Sequence, residues 1–138
     1  MLQRSQTLWL LLAVITAALS FSFPFVVWQE LIDNNPVQIV IDAGSNLYLL
    51  INTAIVILLA FVSIFLYKNR KKQSWIVALG LIFSSLLLFL YILEMQKLVH
   101  PVPALTCLFA VMPIPGFILA LVGIRKDEKL IKSLDSLR

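Results

Sequence analysis

Glu94, Lys97 and His100 bring a carboxylate, an ammonium and an imidazole within seven positions, the residue types that general acid–base catalysis uses. They stand at the end of an apolar run, next to water, with nothing to shield or pair them, so the expectation there is a solvated loop. His100, followed by Pro101 and Pro103, supports no metal or catalytic site on its own. The single cysteine, Cys107, lies inside an apolar segment and allows neither an intrachain disulfide nor a Cys-based metal site. Elsewhere the long apolar segments hold only hydroxyls, that thiol and the amide of Asn52. Proton transfer and nucleophilic chemistry need convergent titratable groups. The expectation is therefore a non-enzymatic protein without catalytic residues, metal or cofactor.

The elements around these residues follow from composition. Of 138 residues, 61% are hydrophobic and 13% charged, with a mean hydropathy of +0.98, whereas soluble domains are roughly 45–50% apolar and about 25% charged. A soluble chain this short buries only about two-thirds of its surface, so most of this apolar surface faces lipid. A spanning helix needs about 20 apolar residues, and the chain accommodates four with short loops. The net charge of +4 is not a nucleic-acid footprint, because the cations flank apolar spans and form no stripe with interleaved aromatics.

The predicted fold is an all-α membrane protein with spans at about 7–27, 47–67, 75–93 and 104–124. External loops cover 28–46 and 94–103, a basic cytoplasmic loop covers 68–74, and 125–138 forms a cytoplasmic amphipathic tail. Lys68, Arg70, Lys71 and Lys72 fix the orientation, since a dense basic cluster in a short loop stays on the cytoplasmic side and meets anionic headgroups there. With both termini inside, ten of the eleven basic residues, Arg4 among them, fall on that side and only Lys97 outside. The start of the chain also has the outline of a secretory signal, with Ala18-Leu19-Ser20 as a cleavage site. The apolar run continues past it through Phe25, Val26 and Val27, which favours an uncleaved first span. Asn34-Asn35-Pro36 signals a turn, and a short strand or hairpin over 30–41 would be marginal unless packed on the helix ends.

Within the spans the informative residues are small or irregular. Ala13 with Ala17, Gly80 with Ser84, and Gly116 with Ala120 are four apart and let neighbouring helices approach closely. Asn52 is expected to face the bundle and hydrogen-bond there. Pro113, Pro115 and Gly116 should kink or break the fourth span. In the tail, Leu130, Ile131, Leu134 and Leu137 recur at helical spacing beside Arg125 and Lys126, a face suited to a partner or to headgroups.

Two stretches carry a resemblance. Met1–Thr7 running straight into a Leu-rich span, together with Ile124–Arg138, resembles a family of small four-span inner-membrane proteins of Bacteroidota classed as a domain of unknown function. Family patterns usually carry a basic residue where Ser136 stands and an apolar one at Ser5. The resemblance implies a bacterial inner-membrane location, and it implies no activity and no catalytic residues. The expected function is an accessory or structural subunit of a larger inner-membrane complex, with anionic lipid and other membrane proteins as partners. The alternative is a small homo-oligomeric transporter or channel, with Asn52 and the Pro113–Gly116 break lining its path.

Overall fold

The computed structural model of the chain describes the backbone of residues 2–32, 35–98 and 101–135, and the side chains of all these but 2–4, 30–32, 35–36, 132 and 134–135. It is mostly helical, with a small sheet at one end.

Helix α1 (Leu2–Leu19) stops well short of Val27. The Ser20 hydroxyl donates back to the Ala17 carbonyl at 2.7 Å, and turn bonds follow from Phe21 to Ala18 and from Ser22 to Leu19. Pro24 then removes a donor and disfavours helical backbone at Phe23. The apolar residues beyond it enter strand β1 (Val26–Ile32), which pairs antiparallel with β2 (Asn35–Ile41) from Val26↔Ile41 to Ile32↔Asn35. The hairpin thus starts four residues earlier than expected, and its connection falls on residues 33–34, which lie outside the described residues. A third strand, β3 (Val102–Pro103), pairs with the other edge of β1, giving the order β2-β1-β3.

Packing on the helix ends stabilises this small sheet. Phe25, Val26 and Ile41 are buried in one apolar cluster with Leu49, Leu87 and Tyr91, and the Phe25 ring stacks on Tyr91 at 4.4 Å and 18°. The Ala104 amide donates to the Phe25 carbonyl at 3.0 Å, and the Thr106 hydroxyl donates to the Pro24 carbonyl.

Helix α2 (Leu47–Phe65) ends in a single 3-10 turn, Leu66–Lys68, and Asn69 alone separates it from α3 (Arg70–Gln96). The expected basic loop is therefore much shorter, and Arg70, Lys71 and Lys72 form the first turn of α3. Another 3-10 turn, Leu105–Cys107, leads to the one-turn helix α4 (Leu108–Val111) and, past Met112, to α5 (Pro113–Asp135). Pro113 opens α5, a position where its fixed φ fits and its missing N–H is no loss. Bonds from Met112 to Leu108 and from Gly116 to Met112 carry the chain across the break. Residues 125–135 are the uninterrupted continuation of α5 and make no separate tail helix.

The helices form a ring in which α1 packs on α2 and α5, and α3 packs on α2 and α5. The starts of α1 and α3 meet the ends of α2 and α5 at the basic end, and the sheet covers the opposite end. Stretches Leu47–Lys68, Arg70–Gln96 and Leu105–Ile131 are long and apolar enough to cross a membrane, while the apolar part of α1, Ser5–Leu19, is shorter. Small residues set the spacing. A Cβ on Gly80 would lie 2.4 Å from the Phe117 ring, and one on Gly116 would lie 3.1 Å from the Trp9 carbonyl oxygen. Ala13, Ala17, Ser84 and Ala120 are buried in the same interfaces.

Candidate functional site at the basic end

Most polar groups inside the bundle are satisfied by backbone. The Thr53, Ser63 and Ser84 hydroxyls donate to carbonyls on their own helices, and the Asn52 amide crosses to the Phe83 carbonyl at 3.2 Å. Charge gathers instead at the basic end.

Asp127 is the centre of this end. It lies one turn beyond Gly123 on the same face of α5, and the stem of Gln6 rests against that glycine, where a Cβ would come within 2.8 Å of Gln6 Cγ. The bare glycine lets Gln6 reach down α5, and its Nε2 donates to Asp127 Oδ2 at 2.6 Å. Arg70, from the first turn of α3, places Nη1 3.4 Å from the same oxygen. Gln6 and Asp127 are only 5% and 6% exposed. A carboxylate so buried is costly unless paired and hydrogen-bonded. Here one amide and one guanidinium supply both, and the three side chains tie α1, α3 and α5 together. Gln73, also buried, donates to the Ser63 carbonyl at 2.9 Å and ties α3 to the end of α2.

Outside this buried layer two grooves meet. One, of about 540 Å³, is lined by Lys68, Asn69, Arg70, Lys71, Lys72, Glu128 and Ile131. The other, of about 390 Å³, has an apolar lining from Leu66, Trp75, Ile76 and the stems of Lys71 and Lys72. Asn69 makes no side-chain cap bond, so the first N–H groups of α3 point outward with the positive end of the helix dipole.

Only part of the expected set converges here. Lys68, Arg70, Lys71 and Lys72 line one groove; the side chain of Arg4 lies outside the described residues. Arg125, Lys126, Leu130 and Ile131 are exposed on α5, and Ile131 reaches the basic groove. The side chain of Leu134 and the whole of Leu137 lie outside the described residues. Ala13, Ala17, Asn52, Gly80, Ser84, Pro113, Gly116 and Ala120 are buried within the bundle, with Pro115 partly so. At the sheet end, Glu94 and Lys97 correct the expectation of an unpaired, solvated cluster. Glu94 is 9% exposed and accepts from Lys97 Nζ, one turn later on the same face. His100 lies outside the described residues.

Gln6, Gln73 and Asp127 carry the basic end, yet none stands out in the sequence. The only signal is a glycine one turn before a carboxylate, Gly123 and Asp127, at the level in the bundle where Gln6 enters. Among the described residues no three His, Cys, Asp or Glu side chains are grouped to hold a metal ion.

No curated protein and no solved structure matches this chain. The model of one family does, over residues 2–137, and it is described as a domain of unknown function, DUF4293. With nearly every residue inside that match, the chain belongs to the DUF4293 family.

Proposed function

We propose that this protein is a non-enzymatic accessory subunit of a bacterial inner-membrane complex, with four crossing helices and both termini cytoplasmic. The observation that carries this reading is the far end of α5, which continues beyond the buried Asp127 and presents Leu130 and Ile131, 47% and 42% exposed, beside Lys126 and Lys129. An apolar pair framed by cations, on a helix braced from below by Gln6 and Arg70, suits a protein partner at the membrane surface. The crossing of α1 is supported by its course alongside α2 and α5 from the basic end to the sheet. The cytoplasmic placement of the basic end is supported by Lys68, Arg70, Lys71, Lys72, Arg125, Lys126 and Lys129 gathering there, with Lys97 at the other end. Transport through the bundle finds less support, because Pro113 is fully buried and the Asn52 amide is occupied by the Phe83 carbonyl.

The test is purification of the tagged protein in mild detergent from its own host, at native expression, with mass spectrometry of what co-elutes. A larger membrane protein in stoichiometric amount, released by Leu130→Glu with Ile131→Glu, supports the reading. Elution alone as a small homo-oligomer overturns it.

A further inference from the structure

We infer that the paired grooves at the basic end form a site for a two-phosphate anionic lipid of the diphosphatidylglycerol type, headgroup in the basic groove and one acyl chain in the apolar one. The inference rests on the preceding reading only in that the basic end lies at a bilayer surface. It does not depend on a protein partner.

Three observations point the same way. First, the grooves share a wall. Lys71 and Lys72 line both, so a ligand that fills both must be ionic at one end and hydrocarbon at the other. Second, the charge of the basic groove calls for more than one phosphate. Lys68, Arg70, Lys71 and Lys72 face Glu128 across it, and Asp127 stands behind Arg70. Four cations against two carboxylates leave a surplus of two positive charges. Lys68, Lys71 and Lys72 make no ion pair among the described residues, so these ammonium groups remain available to a ligand. Third, the depth is right. Trp75, 69% exposed, lies one turn beyond Lys71 and Lys72, where an amphipathic ring sits at headgroup level. Its neighbour Ile76 continues the apolar wall towards the spans. The uncapped N–H groups at the start of α3 add to the attraction for a phosphate. A generic basic loop would attract anionic lipid diffusely, whereas this geometry places a phosphate against Lys71 and Lys72 and a chain against Trp75.

The test follows Trp75 in the full-length protein, with Trp9→Phe and Trp28→Phe leaving it as the only tryptophan. The protein is reconstituted in phosphatidylcholine nanodiscs doped with diphosphatidylglycerol brominated on its chains, or with brominated phosphatidylglycerol at matched charge. Quenching should saturate at a lower mole fraction of the two-phosphate lipid, by at least tenfold. Lys71→Gln with Lys72→Gln should weaken it about thirtyfold, which at about 1.4 kcal/mol per factor of ten is about 2 kcal/mol. Arg125→Gln with Lys126→Gln removes the same charge at the same end, outside the groove, and should leave it within threefold. Equal quenching by the two lipids at matched charge, or equal loss in the two double variants, would overturn the site. If brominated phosphatidylcholine as the sole lipid fails to quench Trp75, the placement of this end at a bilayer falls instead.

Discussion

Gly80→Ala puts one methyl group where the interior has no room for it. The added Cβ would stand 2.4 Å from Phe117 Cε1 and 2.5 Å from Cζ. Ordinary contact begins near 3.4 Å, so the ring must recede by about 1 Å. Phe117 is fully buried in a cluster with Leu10, Val56 and Val77 and cannot swing out to lipid; the displacement passes to the spacing of α3 and α5. Overpacking of this kind costs about 1–3 kcal/mol, while replacing glycine by alanine inside a helix returns about 1 kcal/mol. The expected net loss is about 0–2 kcal/mol. Phe117→Leu removes the ring atoms that clash, so in that background Gly80→Ala should be neutral or stabilising by up to about 1 kcal/mol. The assay is reversible unfolding in mixed micelles against the mole fraction of denaturing detergent, followed by helical circular dichroism. If Gly80→Ala stabilises the wild-type protein as much as it does the Phe117→Leu variant, the packing argument is refuted.

Two further substitutions probe the polar interior. Gln6→Leu withdraws the donor nearest a buried carboxylate and should destabilise by about 2 kcal/mol. Asp127→Leu combined with it should cost less than the two single changes added together, because the buried carboxylate that Gln6→Leu leaves with Arg70 as its remaining partner is then gone; additive losses in the same unfolding assay would contradict the coupling. Tyr91→Phe removes a fully buried hydroxyl that lies towards Ser20 yet makes no hydrogen bond of ordinary length among the described residues. It should be neutral or stabilising by up to about 1 kcal/mol, and a clear drop in the unfolding midpoint would show that the hydroxyl has a partner.

How much of this could be read from the sequence divides by range. The apolar stretches behind α2, α3 and α5 are visible because twenty uncharged residues have few alternatives, and the basic end is visible because Lys68–Lys72 is dense in charge. The end of α1 is not visible, because Phe21–Val27 is equally apolar whether it finishes a helix or starts a strand; Pro24 and the serines around it decide between them. Strand β3 is two residues long, too short for any periodicity to show. The least legible feature is the one that closes the ring. Gln6 and Asp127 are 121 residues apart, each looks like an ordinary polar residue flanking a span, and only the ring order of the helices brings them together. The burial of Glu94 is hidden for the same reason, since it comes from the sheet end packing around it and not from its neighbours in the chain.

The most direct test of the account is the side of the membrane on which each end lies. In a Cys107→Ser background, single cysteines replace Ser5, Lys71 and Lys129 at the basic end and Ser22 and Gly44 at the sheet end. A membrane-impermeant maleimide is then applied to intact spheroplasts and to lysed membranes. Positions 22 and 44 should label in intact spheroplasts, and 5, 71 and 129 only after lysis. Labelling of position 5 together with 22 would contradict the crossing of α1. Labelling of 71 and 129 in intact spheroplasts would reverse the orientation and remove α5 from the cytoplasmic side, where its partner is proposed to lie.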